Sequence, residues 1–148
     1  MRLILCLLSL AALTLSAATA SAVESGNISV RGILVAASRE PGDTDRRLAR
    51  YEQTLRKILR FESFQQLGAG RGSAEIPGEG RLSLGQGHSL EFTTEASPGN
   101  NIRVRVQWRG GNRNLMRTGL VLRPGVPAVL GGPSRNDNEV FAVILIAE

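Results

Sequence analysis

Histidine, lysine and cysteine each occur once in this chain of 148 residues, as His88, Lys57 and Cys6. One histidine and one cysteine rule out the common zinc arrangements, which draw several ligands from those two residue types. Cys6 sits in the apolar N-terminal stretch, so the rest of the chain has no thiol and no disulfide framework. Aromatics are equally sparse, with one Trp, one Tyr and four Phe. Proteins that grip single-stranded nucleic acid interleave aromatic platforms with basic residues, so no nucleic-acid partner is expected. Outside the N-terminus the longest apolar run is the eight residues 140–147 (VFAVILIA). A helix needs roughly 20 to cross a bilayer, so no transmembrane span is expected in the mature chain.

What is present begins with the first 22 residues. Met1-Arg2 form a short positive start, residues 3–15 (LILCLLSLAALTL) are almost unbroken apolar sequence, and small residues follow, ending in Ala20-Ser21-Ala22. That order is a secretory signal peptide cut after Ala22, leaving Val23 as the new terminus. A lipoprotein signal carries its cysteine after the apolar stretch, and Cys6 comes too early for that. The expected organisation is a signal peptide over 1–22 and one domain over 23–148, long enough to bury one core. The expected location is the periplasm or the medium.

The chain carries 18 basic and 13 acidic residues, a formal net charge of +5 at pH 7, to which Arg2 contributes from within the signal. Every basic residue but Lys57 is arginine, which codon bias in a GC-rich genome explains. The excess favours anionic surfaces without specifying one.

Residues 28–37 (ISVRGILVAA) read as a strand, with Gly32 marking a bulge or a close packing contact. Asp43-Thr44-Asp45 offers side-chain oxygens for the free amides of a helix start. Over 46–60, Leu48, Tyr51, Leu55, Ile58 and Leu59 recur at spacings of three and four, which predicts an amphipathic helix docked by that face. Glu52 and Arg56, four apart, are placed to pair. The period then changes: 61–67, 71–76, 81–84 and 89–96 read as short strands separated by turns at 68–70, 77–80 and 85–87. A further turn at 98–101 leads into 102–109, where Ile102, Val104, Val106 and Trp108 alternate with Arg103, Arg105, Gln107 and Arg109. Such alternation gives one apolar and one wet sheet face. Residues 109–112 suit a hairpin, and 115–122, 126–130 and 140–147 complete the strands. The last is apolar at every position, which predicts cover on both faces, with the helix on one side and strands on the other. The fold class expected is α+β: a single domain with one amphipathic helix packed on a mainly antiparallel β-sandwich.

Several motifs approach known chemistry. Gly87-His88-Ser89-Leu90-Glu91 comes near the Gly-x-Ser-x-Gly elbow of serine hydrolases, making a small hydrolase built on Ser89 and His88 one alternative. Glu91 replaces the final glycine, a strand follows instead of a helix, and the sole histidine adjoins the serine. No enzyme activity is expected. Gly68-Ala69-Gly70-Arg71-Gly72-Ser73 misses the dinucleotide fingerprint and lies between strands. Asp43 with Asp45 reads as a helix cap, and Asn136-Asp137-Asn138-Glu139 reads as a solvated turn without the spacing of a calcium loop. Neither a metal nor a cofactor is expected. The strongest positive feature is a basic stripe of Arg103, Arg105 and Arg109, with Arg113 and Arg117 across the hairpin. Guanidinium forks at these five candidate anion-binding residues suit phosphate or carboxylate.

The chain resembles a loose group of uncharacterised exported bacterial proteins. The residues that carry the resemblance are Asp45-x-Arg47-Leu48 opening a helix, Phe61-x-Ser63-Phe64 opening a strand, Leu120-x-Leu122-x-Pro124-Gly125, and Leu130-Gly131-Gly132-Pro133 before the final strand. The resemblance implies a small periplasmic or secreted α+β domain and brings no catalytic residue. The expected function is non-catalytic binding or accessory work in the bacterial periplasm or cell envelope. Its expected partner is an envelope protein that pairs with a sheet edge, the 130–134 loop helping to shape that surface. The alternative is an Arg-based receptor for envelope polyanions, meaning lipid phosphate headgroups or acidic polysaccharide.

Overall fold

The computed structural model describes residues 26–148; residues 1–22, read from the sequence as a signal peptide and holding Cys6, lie outside them. β1 (Gly26–Ser38) buries Ile28, Val30 and Leu34 on one face and Ile33, Val35 and Ala37 on the other. β8 (Glu139–Ala147) does the same, with Val143 and Leu145 opposed to Ala142, Ile144 and Ile146. Strands apolar on both faces need cover on both. The two pair antiparallel, from Val30↔Ala147 to Ser38↔Glu139. They form the middle of a central sheet ordered β2-β1-β8-β7, in which β2 spans Ser63–Ile76 and β7 spans Ala128–Ser134.

The helical segment covers one face of this sheet. A 3-10 stretch, Arg46–Tyr51, runs into α1, Glu52–Leu59. Asp45 caps it, its side chain accepting from the Arg47 amide. Arg60 adopts a left-handed φ of 55° and its N–H reaches the Arg56 carbonyl, which ends the helix. Leu48, Tyr51 and Leu55 pack on Ile33, Val35 and Ile144. Ile58 departs from the expected stripe and is 52% exposed. Positions 48, 51, 55 and 59 define the docked face, and 58 lies about 100° round the helix from 59. Glu52 and Arg56 pair at 3.0 Å, as their spacing implies.

The outer sheet, β3-β4-β5-β6, covers the opposite face with strands Gly78–Gly85, His88–Ala96, Ile102–Gly110 and Arg113–Leu122. Its inward residues, among them Leu84, Phe92, Val106 and Trp108, meet Val30, Leu34 and Leu145 between the sheets. The layers are therefore helix, central sheet and outer sheet, and the final apolar strand lies in the middle layer as expected. Gln86-Gly87 joins β3 to β4 with φ of 54° and 75°, the left-handed pair that a two-residue hairpin needs. Gly111-Asn112 joins β5 to β6, inside the hairpin read at 109–112. Among the described residues no helix is long and apolar enough to cross a membrane.

Strands consecutive in sequence are neighbours in space, and β8 returns to β1. Two ladders are missing from this meander, at β2/β3 and at β6/β7. The first missing ladder corrects the sequence reading. Residues 68–70 are not a turn; 61–67 and 71–76 belong largely to one continuous strand, β2, and Gly78–Gly80 already belong to β3. Gly68, Gly70 and Gly72 occupy inward positions of β2, where β3 lies directly on the backbone. A Cβ at Gly68, Gly70 or Gly72 would overlap the carbonyl oxygen of Leu84, Ser83 or Arg81 respectively. Glycine marks close backbone approach here rather than chain reversal. Gly32 obeys the same logic, since a Cβ there would lie 2.8 Å from Leu84 Cδ2. Residues 130–134 are likewise not a loop but part of β7, whose pairing with β8 is interrupted between Gly131 and Ser134. Gly132 has no room for a side chain because the Trp108 ring occupies that space.

Candidate functional site

Antiparallel register arranges the exposed side chains of the outer sheet in rows across its strands. One row is Glu79, Thr93, Arg105 and Gly119; the next is Arg81, Glu91, Gln107 and Arg117. An open groove of about 910 Å³ follows these two rows. Arg103, Arg105 and Arg109 alternate along β5 and share the exposed face. Arg117 joins them opposite Gln107, donating to its Oε1 at 3.4 Å. Arg113 does not join them. A register shift between Trp108 and Arg109 sets it opposite Gly110, at the hairpin end, on the strand phase of the buried Trp108.

Acidic residues of β4 interrupt the stripe, and the sequence reading did not connect them with it. Glu91 binds Arg81 and lies 3.6 Å from Arg109, while Glu95 lies 4.0 Å from Arg105. The Arg81 hydrogen bond, helped by the positive charge of Arg109, holds the Glu91 carboxyl below the usual carboxylate range. A signal for this existed: counting outward from the turn at 98–101 sets Glu95 beside Arg103 and Glu91 beside Gln107. Exposed pairs of this kind add little stability, and their main effect here is to cancel charge. Arg103, Arg113, Arg117 and Arg123 form no ion pair among the described residues.

His88 and Ser89 point to opposite faces of the outer sheet. His88 is buried, its Nδ1 accepting from Trp108 Nε1 at 2.9 Å, with the Phe141 ring 4.7 Å away. Burial lowers its pKa, favouring the neutral ring that the indole hydrogen bond requires. Ser89 shares the exposed face with Ser83 and Arg109. These two side chains do not form a nucleophile–base pair.

The oxygen-rich segments are occupied locally. Asp45 takes the Arg47 guanidinium at 2.7 Å as well as its amide, and that hydrogen bonding holds its carboxyl well below the usual range. Asp43 contributes its backbone carbonyl to Gln65. In the 136–139 turn, Asn136 Oδ1 accepts from the amides of Asn138 and Glu139, and the Glu139 carboxylate takes Arg135 and Asn136. Among the described residues no group of three His, Cys, Asp or Glu side chains suits a metal ion.

No family model, curated protein or solved structure matches this chain. The resemblance to exported bacterial proteins therefore rests on the motifs quoted from the sequence.

The remaining surface of interest is a sheet edge. Four strands border the two sheets: β2, β7, β3 and β6. β2 and β3 back onto each other. β7 is seven residues long, contains Pro133 and breaks its own register, all features that blunt an edge. β6 is ten residues long, holds neither proline nor acid, and pairs only with β5. The core is incompletely closed beside it, where Leu115, Met116, Leu120, Ala128, Leu130 and Phe141 are only partly buried.

Proposed function

We propose that this chain is an exported, non-catalytic binding or accessory protein of the bacterial periplasm or cell envelope, and that it takes a partner protein at the edge of β6. The observation that carries the reading is that β6 is the longer of the two uncovered border strands, holds no proline, and keeps unbroken register with β5 from Met116 to Leu122. Such an edge offers unpaired backbone donors and acceptors that template another strand. The half-buried apolar side chains next to it would be covered in the same event, adding roughly 25 cal/mol for each Å² removed from water. The buried, indole-bonded His88 favours binding over hydrolysis. Export is inferred from the charge, apolar run and small-residue exit of residues 1–22 together with the motif resemblance.

In-cell crosslinking of the full chain, followed by identification of what is captured, tests the reading. A discrete protein partner is the expected result; glycan or lipid adducts alone would overturn it. N-terminal sequencing of the exported form should begin at Val23.

A second reading, the Arg-based polyanion receptor, is favoured by one observation. Arg105, Gln107 and Arg117 converge at one end of the groove, and Arg117 has no carboxylate partner there. Glu91 and Glu95 on the same face weigh against a long anionic chain. Reversing charge at Arg103 and Arg105 should abolish salt-sensitive binding to lipid phosphate or acidic polysaccharide. Wild-type protein that ignores both at low salt removes this reading.

A further inference from the structure

We infer that β6 accepts an extended segment of another protein in which acidic and apolar residues alternate, added as a fifth strand of the outer sheet. The inference deepens the binding reading above and rests on it.

The alternation follows from the two faces of the edge. Arg117, Gly119 and Val121 share the solvent-facing phase of β6, and Val121 is 49% exposed. Arg103 stands opposite Val121 across the ladder, and Arg123 follows the strand on the same phase as Arg117 and Val121. Arg103, Arg117 and Arg123 have no ion-pair partner among the described residues, so an arriving carboxylate need displace none. Outward-facing residues of the incoming strand would lie beside this cationic border, which favours Asp or Glu. On the inward phase lie Met116 and Leu120, with Ala128 and Leu130 of β7 across the missing ladder. Inward-facing residues of the incoming strand would complete that side of the core, which favours Val, Ile or Leu.

Charge also argues against a second copy of this chain as the occupant. β6 contains no acid. An antiparallel β6–β6 pair would bring Arg117 and Arg123 from both copies onto one border without a compensating carboxylate. Like charges facing across a ladder are destabilising.

The test uses the exported full-length product and a fluorescein-labelled nonapeptide of alternating Val and Asp. The expected result is binding that weakens with salt, and a loss of about tenfold or more when Lys replaces Asp in the peptide or when Arg117→Glu is introduced. N-methylating one alternate set of peptide amides should abolish binding while the other set is tolerated, because only one set faces β6. A photoreactive side chain at Val121 should capture the peptide, and one at Ile58, equally exposed but on the helix, should not. Equal binding by the Lys peptide, tolerance of both methylated sets, capture at Ile58 in place of Val121, or a dimer dissolved by Arg117→Glu would each overturn the inference. If cells yield a protein partner crosslinked only away from β6, this inference falls and the binding reading stands. If neither cells nor peptide yield a complex, both fall.

Discussion

Where β2 passes β3 the sandwich is shut; where β6 passes β7 it stays open. Both places lack a ladder, yet the side chains beside them differ. At the closed side three inward glycines let one backbone rest on the other, and only Leu67 and Ile76 of the core border are partly exposed there. At the open side β6 presents Leu115, Met116 and Leu120, β7 is irregular, and the core border is left half covered. Removing side chains closes one seam without hydrogen bonds. Keeping them at the other leaves an edge whose unpaired backbone groups face solvent.

The contrast is sharpest at glycine. Gly70→Val should leave little folded protein, since the new atoms overlap the Ser83 carbonyl and two strands would have to part; about 3 kcal/mol or more of destabilisation is expected. Gly119→Ala on β6 should stay within about 0.5 kcal/mol of wild type, because the nearest atom, Val104 O, would be 3.9 Å from the new Cβ. Urea midpoints for the two variants check this, and equal losses would break the comparison. Leu truncation comes next. Leu84→Ala at the fully buried closed side should cost about 2–5 kcal/mol, against about 1–2 kcal/mol for Leu120→Ala at the half-covered side.

Acid should reach the open side first. His88 packs on Trp108, whose ring fills the space at Gly132 of β7, and on Phe141 of β8. Its pKa is lowered by burial from an ordinary 6.5, so the unfolded chain binds the proton more readily than the folded one. Stability is therefore full above pH 6.5 and declines as pH falls below it. His88 is the only histidine in the chain, so its reluctance to take the proton when buried should show as a loss of stability just below pH 6.5. Melting temperatures in that window should fall for wild type and stay flatter for His88→Gln; identical slopes would remove His88 from the account. The smallest effect is expected at the outer-sheet ion pairs. Arg81→Ala should barely move the melting temperature, and less still in 1 M salt, because its pair with Glu91 lies on the exposed sheet face and Arg109 remains beside that carboxylate.

Much of this architecture was legible from one dimension. A strand apolar at every position must be covered twice, and β8 lies between helix and outer sheet for that reason. Alternation from Ile102 to Trp108, spacing from Leu48 to Leu59 and the turn residues before β4, β5 and β6 each act over a few residues, so each could be read locally. The glycines of β2 could not, because the same residue permits a sharp turn and a close approach. What selects between them is β3, whose contacting residues lie 9 to 16 positions further along the chain. The arginine stripe was half legible. Its face follows from the strand period, whereas the carboxylates that cancel part of it come from the neighbouring strand, and Arg113 is lost to a register shift at Leu115.

Local chemistry alone was enough for layer order, the burial of the final strand and the basic face of β5, since periodicity and turn preference are written residue by residue. Which ladders are absent, which edge is left uncovered and which arginines keep an unpaired charge emerged only when distant strands came together, because each is a relation between backbones far apart in the chain.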